Sequence, residues 1–116
     1  MKILAISGSL RKTSSNTAML RAAIAVSSKI AGVEMRLYPP EDLEMIPHFN
    51  PDRDVEGTVP QPVLKFRAAL QEADAILIAS PEYVGGVSGL LKNSFDWVVS
   101  SADIEVYDKP FAVLNL

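Results

Sequence analysis

The residues best suited to bind a ligand lie in a ten-residue segment, SGSLRKTSSN, at positions 7–16. This segment contains hydroxyl, amide and basic side chains and no acid. It leads into a helix pattern, so the free N–H groups of the helix start would face these donors and form an anion site, most commonly one for phosphate. The alternative is that Ser14 or Ser15 caps the helix and that Arg11 and Lys12 lie in a solvated turn. The candidate side-chain donors are Ser9, Arg11, Ser14, Ser15 and Asn16.

The segment differs from the common nucleotide-binding loops. It lacks the second glycine and the Gly-Lys-Ser/Thr ending of a Walker loop, and it is not a dinucleotide-binding GxGxxG motif. The chain has no cysteine, which excludes a cysteine-based phosphatase loop, a disulfide and a thiolate metal site. Nucleoside triphosphate hydrolysis is therefore disfavoured, whereas phosphate binding remains open.

A second unusual loop, SPEYVGGVSG at positions 80–89, follows another apolar run. Pro81 ends the predicted strand, and Gly85 and Gly86 allow a ligand to approach the backbone closely. Tyr83 offers an aromatic edge to a planar ring. The alternative is a plain strand-to-helix turn that uses glycine for its geometry. Taken with the first loop, this one predicts a ligand with a phosphate at one end and a planar ring at the other.

Buried strands and amphipathic helices alternate along the chain, which predicts an α/β fold with a parallel sheet and helices on both of its faces. In such folds ligands bind beyond the carboxyl ends of the strands, and both unusual loops follow strands at that end. Residues 39–62 contain six of the eight prolines and are predicted to form a long loop. The predicted strands are 2–6, 33–38, 75–79 and 111–116, and the predicted helices are 16–31 with Gly32 as C-cap, 63–73 and 87–99.

Length and charge restrict the functions that remain. The 116 residues fit one domain, and the net charge of −3 leaves no basic surface for nucleic acid. The apolar runs are too short to span a membrane, and no signal peptide is visible, so we expect a cytoplasmic protein. His48 is the only histidine, and no metal site is predicted. Three further predictions concern a solvated charge run at Asp52, Arg53 and Asp54, an i,i+4 pair of Lys92 with Asp96, and a packing role for Trp97.

The two loops together, GSLRKTSSN and PEYVGGVSGLLKNSFDW, resemble the NADPH-dependent FMN reductase family of flavodoxin-like proteins, which includes quinone, chromate and azo-compound reductases. The resemblance covers essentially the whole chain. It implies a flavodoxin-like three-layer sandwich with strand order 2-1-3-4, FMN as cofactor, NADPH or NADH as cosubstrate, and a quinone or similar small-molecule acceptor. It also implies that Ser9, Arg11, Ser14, Ser15 and Asn16 hold the FMN phosphate and that Pro81, Glu82, Tyr83, Val84, Gly85 and Gly86 form the isoalloxazine loop, largely through backbone N–H groups.

The chain departs from the family pattern at three points. Val84 stands where the family usually has Asn, and Ser88 stands where it often has Pro. The third departure is that the chain stops after the fourth strand, so residues 1–116 are expected to form a single FMN-binding domain that lacks its C-terminal strand and two helices. No acid, base and nucleophile triad is visible, which suits an enzyme whose cofactor carries the chemistry. We expect a homodimer or homotetramer. The alternatives are a flavodoxin-like electron carrier and a non-catalytic remnant of the family.

Overall fold

The computed structural model describes residues 1–99, 106 and 108–115. It contains a four-stranded sheet in the order β2-β1-β3-β4, and every neighbouring pair is parallel. This is the predicted flavodoxin-like order. The strands are β1 (Lys2–Ser7), β2 (Glu34–Leu37), β3 (Ala75–Ser80) and β4 (Phe111–Asn115), and the helices are α1 (Ser15–Ser27), α2 (Pro40–Glu44), α3 (Gln61–Glu72) and α4 (Gly89–Val99).

The strands alternate their side chains between two apolar clusters, one on each face of the sheet. In β1, Leu4 and Ile6 point into the larger cluster with Phe66 of α3 and Trp97 of α4. Ala5, between them, joins the smaller cluster beneath α1. The period of two residues along a strand explains this division, and it yields the predicted three layers. The packing role predicted for Trp97 is confirmed, because this side chain is fully buried.

Helix α1 ends four residues earlier than predicted, and Gly32 is not its C-cap. The Ser27 hydroxyl donates to the Ile24 carbonyl at 2.8 Å, and the Ser28 hydroxyl donates to the Ala25 carbonyl at 2.6 Å. The Ile24 carbonyl also keeps its helical bond from the Ser28 N–H, whereas the Lys29 N–H donates to Val26 and leaves the Ala25 carbonyl to the Ser28 hydroxyl. Ile30, which lies within the predicted helix 16–31, is outside α1 and 53% exposed.

The long loop predicted for residues 39–62 was wrong in part, since this region contains α2 and a 3₁₀ turn at Pro51–Arg53. Five of its six prolines, all but Pro47, lie at helix starts or directly before them, where the missing N–H costs nothing because those donors have no helical acceptor. Pro40 begins α2, and Pro62 lies in the first turn of α3, which begins at residue 61 instead of 63. Helix α4 begins at residue 89 instead of 87. The predicted end of the fourth strand, Leu116, lies outside the described residues.

Side chains of α4 fasten the segment that follows α2. The Asn93 amide nitrogen and the Trp97 indole nitrogen both donate to the Pro47 carbonyl at 2.9 Å. The Asn93 amide oxygen accepts from the Phe49 backbone N–H at 2.7 Å. Asn93 and Trp97, which lie one helical turn apart, therefore hold the Pro47 carbonyl and the Phe49 N–H against α4.

The charge run at Asp52, Arg53 and Asp54 is only partly solvated, which corrects the prediction. Asp52 and Arg53 are exposed. Asp54, by contrast, accepts from the Arg67 guanidinium at 3.0 Å, and the two side chains are only 13% and 12% exposed. Arg67 also donates to the Trp97 carbonyl in the last turn of α4. This arrangement joins α3, α4 and the 3₁₀ turn. The predicted pairing of Lys92 with Asp96 is confirmed on the exposed face of α4.

Candidate functional site

The two loops predicted to bind a ligand emerge side by side at the carboxyl ends of β1 and β3. Ser7 lies opposite Ala79 in the parallel register, and the backbone N–H of Gly8 donates to the Ala79 carbonyl at 2.8 Å. The sheet therefore brings residues 8–16 and 81–88 to one edge, although more than sixty positions separate them in the sequence. This is where a parallel sheet of this kind binds its ligands.

The hydroxyl oxygens of Ser7 and Ser9 fold the first loop by accepting backbone N–H groups, and the Ser7 hydroxyl also bonds the Thr17 hydroxyl at 2.7 Å. The Ser7 hydroxyl oxygen accepts from the Ser9 backbone N–H, and the Ser9 hydroxyl oxygen accepts from the Arg11 N–H, each at 3.3 Å. Ser9 is buried, whereas Arg11 is exposed. A hydroxyl that accepts one bond still has a proton to donate, so Ser9 can contact an anion without disturbing the loop.

Helix α1 begins in the way that an anion site requires. Ser14 is its N-cap, and the Ser14 hydroxyl accepts from the Thr17 N–H at 3.2 Å. The capping interpretation is therefore correct for Ser14, whose proton remains available. The backbone N–H groups of Ser15 and Asn16 find no acceptor within the described part of the chain. The first turn contains no acid that could neutralise them. These free donors and the helix dipole favour a bound anion.

Two further side chains near this helix start lack partners. Asn16 is 5% exposed, and its amide oxygen has no hydrogen-bond partner. Buried polar atoms are normally satisfied, so an orphaned amide here indicates a place where a ligand or water completes the bonding. Arg11 makes no ion pair with any described residue. An unpaired guanidinium beside a helix N-terminus is suited to a bidentate contact with phosphate.

The second loop forms a tight hairpin turn at its tip. The Tyr83 N–H donates to the Gly86 carbonyl at 3.0 Å, and the Gly86 N–H donates to the Tyr83 carbonyl at 3.1 Å. The two residues between them have positive φ, 52° at Val84 and 74° at Gly85. The N–H groups of Val84 and Gly85 have no acceptor among the described residues. The tip therefore presents backbone donors outward, beside the half-exposed ring of Tyr83.

Ser88, which stands where the family often has proline, fixes the second loop and the start of α4 through two hydrogen bonds. Its hydroxyl accepts from the Leu91 N–H at 3.3 Å and so caps α4. Its backbone N–H donates to the Ser80 hydroxyl at 3.3 Å, which closes the base of the second loop. A proline has neither the hydroxyl nor the N–H, so this chain fixes the start of α4 through hydrogen bonds instead of ring stiffness.

Sequence reasoning missed Gly8, which allows the first loop to lie directly against α4. A Cβ atom on Gly8 would come within 2.6 Å of Leu91 Cδ1 and 2.8 Å of Ser88 Oγ. By contrast, a Cβ on Gly85, Gly86 or Gly89 would meet nothing within 4 Å. The signal was available in the sequence as a glycine directly after a buried strand, where a backbone often approaches another element closely.

The two loops and the start of α4 line an open cleft of about 400 Å³. A neighbouring cleft of about 260 Å³ lies between the second loop and β4. Ser9, Arg11 and Tyr83 line the first cleft, and Pro81, Glu82, Gly85 and Gly86 line the second. Ser14, Ser15, Asn16 and Val84 line neither cleft. The first three lie at the start of α1, whereas Val84 is fully exposed at the tip of the turn.

Metal sites, membrane-spanning helices and other cavities were also sought among the described residues. They contain no group of His, Asp and Glu side chains arranged to hold a metal ion. None of the described helices has the length and hydropathy needed to cross a bilayer. A further cavity of about 100 Å³ is lined by Lys2, Glu34 and the end of α3. It lies at the amino ends of the strands and includes no residue of either loop.

The sequence model of a family described as NADPH-dependent FMN reductase matches residues 1–115. An NADPH:quinone oxidoreductase from Arabidopsis thaliana is 41% identical over 116 residues, which cover 99% of this chain and 57% of that protein. An NAD(P)H-dependent FMN reductase from Pseudomonas aeruginosa is 38% identical over 99% of this chain and 59% of that protein. The structure of FerB, a flavoenzyme NAD(P)H:(acceptor) oxidoreductase from Paracoccus denitrificans, matches with a TM-score of 0.84 at 27% identity, over 98% of this chain and 59% of that one. The chain thus spans less than two thirds of the length of these relatives.

Proposed function

Because the chain belongs to the NADPH-dependent FMN reductase family, we propose that it acts as an FMN-dependent NAD(P)H oxidoreductase. The electrons pass from NAD(P)H through bound FMN to a quinone or a similar small-molecule acceptor. The observation that carries this proposal is the meeting of an anion-binding helix start with a loop of outward-facing backbone donors at one end of the sheet. A flavin mononucleotide needs both features, since it has a phosphate at one end and a planar ring at the other.

The residues at the first loop fit the phosphate. Arg11 supplies the charge and two parallel donors, and Ser9 and Ser14 supply hydroxyl protons. Ser15 and Asn16 supply backbone N–H groups at the positive end of α1. The orphaned amide oxygen of Asn16 is an acceptor, so it cannot bond a phosphate oxygen and would need a hydroxyl group or a water molecule beside the phosphate.

The residues at the second loop fit the ring. The loop directly follows the end of β3 and consists of Pro81, Glu82, Tyr83, Val84, Gly85 and Gly86. No Cβ atom shields the backbone at the two glycines, so a planar group can lie against it. The free N–H groups of Val84 and Gly85 match the carbonyl and ring nitrogen acceptors of an isoalloxazine. Bound FMN supplies hydride acceptance and electron transfer, and the chain's own groups hold and orient it.

The wider setting of the enzyme is also part of the proposal. We propose that the protein forms a homodimer or homotetramer. We propose that residues 1–116 belong to a single FMN-binding domain that a further strand and two helices complete, and the greater length of the relatives supports this. The use of NAD(P)H, a reductant held inside cells, supports a cytoplasmic location.

Anaerobic mixing of the protein with FMN and NADPH or NADH tests the function. We expect flavin to bind and its absorbance to bleach much faster than that of free FMN, and an added quinone to restore the colour. Slow bleaching of tightly bound flavin would indicate an electron carrier instead. Failure of the folded protein to retain flavin would overturn the proposal.

A further inference from the structure

Val84 occupies a backbone conformation that its side chain disfavours. The turn Tyr83–Gly86 has two reciprocal hydrogen bonds and two central residues with positive φ, which are the marks of a type I′ hairpin turn. Such turns favour Asn-Gly, Asp-Gly or Gly-Gly at the centre. Here the pair is Val-Gly. A residue branched at Cβ with φ of 52° is an outlier on steric grounds.

No packing among residues 1–99, 106 and 108–115 compensates for this strain. The Val84 side chain is fully exposed, and Tyr83 beside it is half exposed. Gly85 and Gly86 have open space on their Cβ side. The turn is therefore held closed by its two hydrogen bonds alone, and these bonds lie where water competes for them. Strained backbone persists only where its surroundings over-determine it, and strain of this kind concentrates at ligand-binding loops.

We propose that Val84 makes the Tyr83–Gly86 turn an adjustable part of the ligand site, closed only part of the time in the free protein and closed fully when a planar ring binds to it. This inference rests on the proposed function for the identity of the ring. A site that is competent for only a fraction of the time binds with an affinity reduced by that fraction. Val84 is accordingly a determinant of flavin affinity through backbone geometry and not through side-chain contact.

The test replaces Val84 with a residue that suits the turn. Asn tolerates the left-handed region, so Val84→Asn should close the turn in the free protein. The matched control is Val55→Asn, which makes the same chemical change at an exposed loop position without positive φ. Hydrogen exchange of the Tyr83 and Gly86 amides reports on closure in apo-protein, and an FMN titration reports on affinity.

We expect Val84→Asn to slow exchange at both amides and to tighten FMN binding roughly three- to tenfold. This gain in affinity cannot exceed the free energy that the wild-type protein spends on holding Val84 in the left-handed conformation. The control should change neither measurement. Unchanged exchange in Val84→Asn would overturn the inference of strain, whether or not flavin binds. Slower exchange with unchanged FMN affinity would overturn the link between closure and binding. A wild-type protein that binds no FMN, while the exchange effect persists, would overturn the proposed function and with it the assignment of this turn to a flavin.

Discussion

Gly8→Ala is the substitution that most directly tests how the site is assembled. The added Cβ would lie 2.6 Å from Leu91 Cδ1 and 2.8 Å from the Ser88 hydroxyl, and both of these residues are buried. Overpacking of this kind costs about 1–3 kcal/mol, and displacing the Ser88 cap adds up to about 1 kcal/mol. Replacing glycine returns about 0.4–1 kcal/mol by restricting the unfolded chain. We therefore expect a net loss of about 2 kcal/mol in the free energy of unfolding.

Urea unfolding of apo-protein measures this loss without reference to any ligand. The same loss lowers Tm by roughly 6–10 °C for a domain of this size. Gly89→Ala is the matched control, since its Cβ would meet nothing within 4 Å and it begins a helix, where alanine is favoured. The control should be neutral or stabilising.

A double-mutant cycle with Leu91→Ala checks the cause of the loss. If the clash with Leu91 is real, the double variant should be more stable than the sum of the two single losses predicts. Additive losses would show that the methyl group does not meet Leu91. A Gly8→Ala protein as stable as the Gly89→Ala control would refute the close approach of the first loop to α4.

Three other predictions use different parts of the molecule. Arg11→Ala should weaken FMN binding about tenfold or more in a fluorescence titration while leaving the melting temperature unchanged, because the side chain is exposed and unpaired; equal affinity would leave only the capping role of the loop. Burial, with Asp42 nearby, raises the pKa of Tyr38 to about 12, so the folded state keeps this proton and loses stability as pH rises from about 10 to 12. Tyr38→Phe should remove that alkaline loss in urea titrations and be neutral or stabilising at pH 7, because the buried hydroxyl has no partner among the described residues; an identical pH profile in both proteins would contradict this. Asp54→Ala should destabilise by about 3 kcal/mol by leaving Arg67 uncompensated, whereas the exposed Asp52→Ala should change little in the same assay; equal effects would mean that the ion pair contributes nothing.

The sequence was sufficient to predict the sheet, the order of its elements and the meeting of the two loops that form the candidate site. Buried parallel strands are continuous apolar runs and helices repeat every 3–4 residues, so KILAI and AILIA could be identified as strands and the segments after them as loops. Parallel strands end at a common edge, so the sequence pattern already predicts that Ser9 and Arg11 lie near Tyr83. The helix boundaries were less predictable. At the end of α1 the Ser28 hydroxyl takes the Ala25 carbonyl in place of a backbone donor, and periodicity does not record that competition.

The loops are held in place by contacts between segments that are distant in the sequence. The contact of Gly8 with Leu91 and Ser88, and the attachment of Pro47 to Asn93 and Trp97, join residues more than forty positions apart, and no local pattern encodes them. The strain at Val84 is local, yet it too was invisible in the sequence. Val-Gly does not specify a type I′ turn, and it adopts one here because the paired backbones of Tyr83 and Gly86 impose positive φ on the two residues between them. Sequence patterns report the average preference of each residue, whereas contacts between distant segments select the conformation that each residue finally adopts.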